Sequence, residues 1–258
     1  MIGSGNVASA LAPALDASGA AEVTAVYSPT AAHAERLARH LVKAKAVSTP
    51  QEVPTDADLY MVAVTDSAVE RVAEDFRGFS GAGIWAHTSG SVAMDALACV
   101  THRYGVFYPL QTFSVGVPVD FGCVPMFIEA VDPDTLLMLK RLAGFITPKV
   151  YEADSTLRGK MHAAAVFACN FVNHLWAVAD DILLRECGLD IKVLAPLIRE
   201  TMRKALTVRP AEAQTGPAVR GDNEVMAKHL TLLTKSEGQL YKMLSQSIID
   251  YYKIPKQS

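Results

Sequence analysis

The first residues that could do chemistry are Gly3-Ser4-Gly5-Asn6-Val7-Ala8, which fit the pattern GxGxxG/A. In that pattern the first glycine permits a tight turn and the second lets the backbone approach a pyrophosphate. The small Ala8 lets helix and strand pack closely, so that the phosphate meets the helix N-terminus. Its context strengthens it, because a helical stretch follows and a β-run ends about 20 residues later, where a ribose-reading residue belongs. That place holds Tyr27-Ser28-Pro29-Thr30, with no Asp or Glu to bond a ribose 2′-hydroxyl and repel a 2′-phosphate. The expected cofactor is therefore NADP rather than NAD, held by Gly3, Ser4, Gly5, Asn6, Val7 and Ser28. The competing reading is a glycine-rich turn that binds nothing. Only Met1 and Ile2 precede Gly3, whereas a central parallel strand usually needs about five residues. Either the chain starts short of the natural protein, or the first strand is a stub. Pro13, past the first turn of the following helix, is expected to kink it.

In open α/β sheets ligands gather at the carboxyl ends of the strands, and three polar words follow apolar runs there. Val64-Thr65-Asp66-Ser67 supplies Thr65 and Asp66 beside the cofactor, although a helix cap explains the same residues. His87-Thr88-Ser89-Gly90-Ser91 packs an imidazole and hydroxyls together, so His87 is a candidate acid or base and Thr88 and Ser89 candidate cofactor contacts. A local Ser/Thr turn around a satisfied histidine is the alternative. Tyr108-Pro109-Leu110-Gln111-Thr112-Phe113 offers Gln111 and Thr112 to orient a substrate carboxylate or carbonyl, or simply forms a polar turn.

The apolar stretch beginning near Ser155 carries His162, Asn170, and Asn173 or His174 at spacings of three and four, which predicts a polar line along one helix face. Buried polar groups need partners, so this line either bonds neighbouring helices or faces a cleft. His162 and Asn170 are thus candidate catalytic residues and Asn173 a candidate substrate contact. Further on, Asp222 or Asn223 makes a fair N-cap, with Arg220 nearby to clamp an anion.

Positioning these residues requires two architectures. Apolar β-runs at 23–27, 59–64 and 83–87 alternate with helical stretches at 31–42 and 67–76, the pattern of right-handed βαβ units and a parallel sheet. After Tyr151, helical periodicity runs through 155–186, 191–208 and 223–252, with Gly188 placed to stop the first of these helices. The expected fold is α/β, with a Rossmann-type domain over 1–152 and an all-α domain over 153–258. With 258 residues, 50% hydrophobic and 20% charged, the chain can bury a full core. A net charge of -3 and a pI near 6.2 argue against a nucleic-acid partner. No apolar stretch reaches the roughly 20 residues of a membrane span, and no signal peptide opens the chain. Cys99, Cys123, Cys169 and Cys187 show no metal-ligand spacing and read as reduced, mostly buried thiols of a cytoplasmic protein.

Taken together, GSGNVA, VTD, HTSGS, YPLQTF, HAAAVFACNFVNHL and TGPAVRGD, with a His seven residues after that Asp, resemble a family of bacterial Rossmann-like proteins. These carry a helical C-terminal domain of unknown function and are labelled NADP- or deazaflavin-dependent oxidoreductases. More distantly the layout is similar to pyrroline-5-carboxylate reductase, ketopantoate reductase, prephenate dehydrogenase and the β-hydroxyacid dehydrogenases. The resemblance implies hydride transfer to or from a small carbonyl or imine held between the halves, a homodimer formed by the helical half, and a role for Arg220. The Lys/Asn pair of the β-hydroxyacid dehydrogenases is not reproduced, since Lys160 is followed four residues later by Ala164. A different class of function fits the same fold: a nucleotide or metabolite sensor that binds without turnover.

Overall fold

In the computed structural model, which describes residues 1–253, alternation along the central strands sorts the core onto the two faces of one sheet. β1 (Ala25–Tyr27) and β2 (Lys45–Val47) pair in parallel, as do β3 (Leu59–Val62), β4 (Ile84–His87) and β5 (Tyr104–Pro109). Ile2 joins the two groups by bridging Tyr27 on one side and Val62 on the other. Ile2 is held there by its N–H to Met61 O at 2.8 Å and by Ala63 N–H to Ile2 O at 2.7 Å.

Beyond β5 the parallel rule stops. β6 (Met126–Ala130) runs antiparallel to β5, and β7 (Val150–Glu152) runs parallel to β6. Between β5 and β6 the chain makes only a 3₁₀ turn at Phe121–Cys123. A strand that returns without a crossover helix lies antiparallel.

Met61, Ile84, Ala86 and Phe107 face α1 (Asn6–Ala17) and α4 (Pro133–Gly144), packing with Leu11, Leu15, Leu139 and Leu142. Their neighbours Tyr60, Val62 and Trp85 face α3 (Asp66–Asp75) instead. There Trp85 stacks on Tyr60 with ring centroids 4.9 Å apart and meets Phe76 at 5.1 Å. α2 (Ala31–Ala38) covers β1, with Ala34 and Leu37 against Val26 and the fully buried Ala8 and Ala12. The small side chains at 8 and 12 are what let α1 lie this close. α1 continues through Pro13 to Ala17, because Leu11, Ala12 and Leu15 are anchored in the core on either side of it. A space of about 460 Å³, lined among others by Leu15, Val23, Leu59, Met61 and Met138, lies at the amino-terminal edge of this sheet, away from the polar strand tips.

The chain forms two compact units, Met1–Cys169 and the part from Asn170 onward. α5 (Ser155–Ala165) therefore belongs with the sheet, and the division falls within a π-helical stretch, Val166–Phe171. The second unit contains α6 (Val172–Cys187), α7 (Ala195–Thr207), α8 (Pro210–Ala213), α9 (Pro217–Arg220), α10 (Asn223–Thr231) and α11 (Lys235–Lys253). Gly188 ends α6 in the left-handed region, φ 66, as its placement requires. The continuous helix expected over 223–252 is broken at 232–234. Thr234 and Glu237 form a reciprocal cap there, with Thr234 N–H to Glu237 Oε2 at 2.8 Å and Glu237 N–H to Thr234 Oγ1 at 3.4 Å. Residues 254–258 of the expected helical domain lie outside the described residues. Cys123, Cys169 and Cys187 are exposed and Cys99 is half-buried, which corrects the expectation of buried thiols. No described helix is long and apolar enough to cross a membrane.

Candidate functional site

Gly3 and Gly5 do opposite jobs. Gly3 has φ +106, and a Cβ on it would lie 2.3 Å from Ala63 O, so the turn is pressed onto the tip of β3 and admits no side chain. A Cβ on Gly5 would meet nothing within 4 Å. Gly5 is the N-cap of α1 and makes no side-chain cap. The first helical bond, Ser9 N–H to Gly5 O at 2.8 Å, leaves the amides of Asn6, Val7 and Ala8 without helical acceptors. An open backbone at the positive end of a 12-residue helix fits a diphosphate. Asn6 Nδ2 donates to Phe113 O at 2.9 Å, which ties this turn to the loop after β5. At the end of β1, Ser28 is buried and its hydroxyl accepts from Thr30 N–H at 3.4 Å.

At the tip of β3, Thr65 is the N-cap of α3 and Asp66 its first residue. The Asp66 carboxylate accepts a short hydrogen bond from Ser91 Oγ, joining the tips of β3 and β4. Ser89 Oγ accepts from Ser91 N–H at 3.1 Å and Val92 N–H at 3.0 Å, so this hydroxyl closes a local turn, and Thr88 beside it is buried. His87 is fully buried. Its Nδ1 accepts from Ser89 N–H at 3.2 Å, and its Nε2 lies 3.2 Å from Ala93 O as the donor of the remaining bond. Burial, with the nearby Arg158 charge adding to it, pushes its pKa down to about 4. His87 is a neutral pin within the turn, and the acid/base role expected of it is corrected, since both ring nitrogens are occupied and no face is free.

A second pair of titratable side chains meets one strand further on. Tyr108, at the end of β5, places its hydroxyl 3.0 Å from His162 Nδ1 on α5, with the rings edge to face at 6.1 Å. Gly90 makes this approach possible: a Cβ there would stand 2.6 Å from His162 Nδ1 and 2.8 Å from Tyr108 Cζ. Burial pushes the Tyr108 phenol up to about 12, with the Asp66 carboxylate adding to the rise and Arg158 opposing it. α5 is fixed by Arg158, fully buried one turn before His162, which pairs with Glu129 of β6 and donates to Val92 O. Glu129 also accepts from Ser155 N–H at 2.9 Å, and Asp154 caps the helix through Leu157 N–H at 2.7 Å. Gln111 and Thr112 bond each other at 2.8 Å and are exposed.

One unit therefore gathers the glycine turn, Asp66, Ser91, Gly90, Tyr108 and His162. Asn170, Asn173 and Arg220 belong to the second unit and are exposed on it. The polar line expected from 162 to 173 is corrected, because the π-helical stretch Val166–Phe171 inserts between its members and breaks the three-and-four spacing. Sequence reasoning passed over Tyr108, Gly90 and Arg158. Gly90 followed by a hydroxyl reads as a turn, and nothing local tells that its missing side chain makes room for residue 162.

Residues 1–84 match the family described as NADP oxidoreductase, coenzyme F420-dependent, and residues 124–248 match a domain of unknown function, DUF2520. A crystal structure described as a "putative NADP oxidoreductase" from Bacteroides fragilis is 40% identical, covering 96% of each chain with a TM-score of 0.89. A protein from Thermotoga maritima is 18% identical over 98% of each chain, with a TM-score of 0.76. A reductive aminase from Aspergillus terreus in complex with NADPH is 16% identical over 97% of each chain, with a TM-score of 0.66. The last two share the fold. No curated protein matches this sequence.

Proposed function

The chain belongs to the same oxidoreductase family as the Bacteroides fragilis protein, and from that premise we propose that it is an NADP-dependent reductase or dehydrogenase of a small carbonyl or imine. The observation that carries this is the glycine turn: Gly3 is sealed against β3, Gly5 is open to 4 Å, and the helix behind them has no cap of its own. Gly3, Ser4, Gly5, Asn6 and Val7 would hold the diphosphate, and Ser28 with Thr30 would stand beside the adenosine ribose. The absence of an acidic residue in Ser28-Pro29-Thr30 supports NADP over NAD. A bound dihydronicotinamide supplies the hydride. The protein's part is to orient the acceptor and to manage one proton at the strand tips.

The test is direct binding followed by fluorescence. NADPH is expected to bind more tightly than NADH, and Gly5→Ala to weaken NADPH by more than tenfold. The melting temperature should stay unchanged, because the added methyl meets no protein atom. Wild-type protein that binds neither nucleotide would remove the proposal.

The same reading includes a cytoplasmic homodimer built by the helical unit. Among its described residues only Ala218 is buried, while Leu197, Leu206 and Met243 are 66%, 81% and 70% exposed. A second copy supplies each such surface with the same apolar partner. Light scattering should give twice the 27.7 kDa chain mass at micromolar concentration, and a monomer there would refute it.

A further inference from the structure

We propose that Tyr108 is the catalytic proton donor of this site and that His162, hydrogen-bonded to the phenol oxygen, both orients it and returns its proton. This rests on the oxidoreductase reading above.

Elimination among the strand-tip groups leads to it. His87 has both nitrogens engaged, Ser89 Oγ is buried in a local turn where it accepts from two backbone amides, Ser91 Oγ donates to Asp66, and Gln111 Oε1 accepts from Thr112. Tyr108 Oη meets His162 and keeps its other hydrogen-bonding position. The fold also defends the contact. Gly90 leaves out the one carbon that would separate the pair, and the buried Arg158–Glu129 bridge fixes the helix that carries His162.

The orientation of the shared hydrogen decides what the pair can do. With Nδ1 unprotonated, the phenol donates to the imidazole and has no hydrogen for a ligand. With Nδ1 protonated, the imidazole donates to the phenol oxygen and the hydroxyl hydrogen turns outward. Reduction then balances. A bound dihydronicotinamide would supply the hydride for the new C–H bond, leaving the π pair of the C=O or C=N bond on the heteroatom. That heteroatom takes the Tyr108 proton, and His162 returns a proton to the phenolate before being recharged by water. The phenol's high pKa keeps it protonated until that moment. The charged groups felt at Tyr108 are Asp66, from the start of α3, and Arg158, from α5 itself, the latter matched by Glu129 of β6.

Three measurements on the full chain test this. Nuclear magnetic resonance of Tyr Cζ and His ring nitrogens, titrated over pH 5–9, should show Tyr108 moving in the same step as His162, a response lost in Gly90→Ala. A flat Tyr108 signal overturns the proposal. With 1-pyrroline as the imine probe and saturating NADPH, Tyr108→Phe should lose more than 100-fold in kcat while NADPH binding stays within twofold. His162→Gln, whose amide can still donate to the phenol, should keep part of kcat, whereas His162→Ala, which cannot, should lose nearly as much as Tyr108→Phe. A Tyr108→Phe enzyme with more than half of wild-type kcat overturns it. If the probe is not reduced by wild type, the resonance titration alone decides. Failure of wild type to bind NADPH sinks the functional reading instead, and with it Tyr108 as a donor, whatever the titration gives.

Discussion

Gly90, Tyr108 and His162 come from three parts of the chain, and their meeting turns on a few tenths of an ångström. Gly90→Ala removes no polar group yet places a carbon 2.6 Å from His162 Nδ1. It should therefore mimic the chemical loss of Tyr108→Phe, with the Tyr108 hydroxyl displaced and kcat reduced at least tenfold, checked by the same steady-state assay. His87 makes a different prediction. Its pKa in the folded protein is about 4, against about 6.5 in an unfolded chain. Between those values the unfolded chain binds a proton that the folded one rejects. Stability should therefore fall as pH drops through that window, by on the order of 3 kcal/mol in full. Urea midpoints at pH 7, 5.5 and 4.5 should show a steeper loss in wild type than in His87→Gln. At this scale the glycine turn was legible, because each of its glycines has a local reason to be there. Tyr108 was not, since a single hydroxyl at the end of an apolar strand gives no hint of a partner on α5.

Among the elements, α5 is the one whose placement matters most to the site, and a buried ion pair places it. Arg158 is fully buried, and its Nε has no hydrogen-bond partner among the described residues, so the guanidinium depends on Glu129, Val92 O and Ser155. Arg158→Met should leave Glu129 without its counter-charge and cost about 3–5 kcal/mol. That corresponds to a melting temperature lower by roughly 10 °C in a calorimetric scan. Pairing it with Glu129→Leu should recover much of the loss, because two apolar groups replace two desolvated charges. The helix itself was legible from its periodicity, as were α3 and the strands β3 and β4. The π-helical stretch was not, since an inserted residue leaves composition unchanged and only shifts the facing of the residues after it. Neither was the antiparallel entry of β6, which comes from the lack of a crossover helix rather than from any strand pattern. Thr234-Lys235-Ser236-Glu237 did carry a readable helix start, a Thr three residues before a Glu, in the middle of what otherwise scans as one helix.

For the whole molecule, the sequence separates a sheet-forming half from a helical half, and the structure divides the chain later than that change of composition, at Cys169. Composition cannot mark such a boundary, because α5 looks helical whichever neighbours it packs against. The bridging of Ile2 has a consequence of its own. β1 and β2 connect to the remaining five strands through the backbone of residues 1–3, chiefly Tyr27 N–H to Met1 O at 2.9 Å and Gly3 N–H to Tyr27 O at 2.8 Å. β4 and β5, by contrast, are flanked by full ladders on both sides. A seam one residue deep can open while the rest stays closed. In deuterium, the amides of 25–27 and 45–47 should therefore exchange well before those of 84–87 and 104–109. The edge that opens first carries the Ser28 loop, so a bound nucleotide should slow that exchange more than any other.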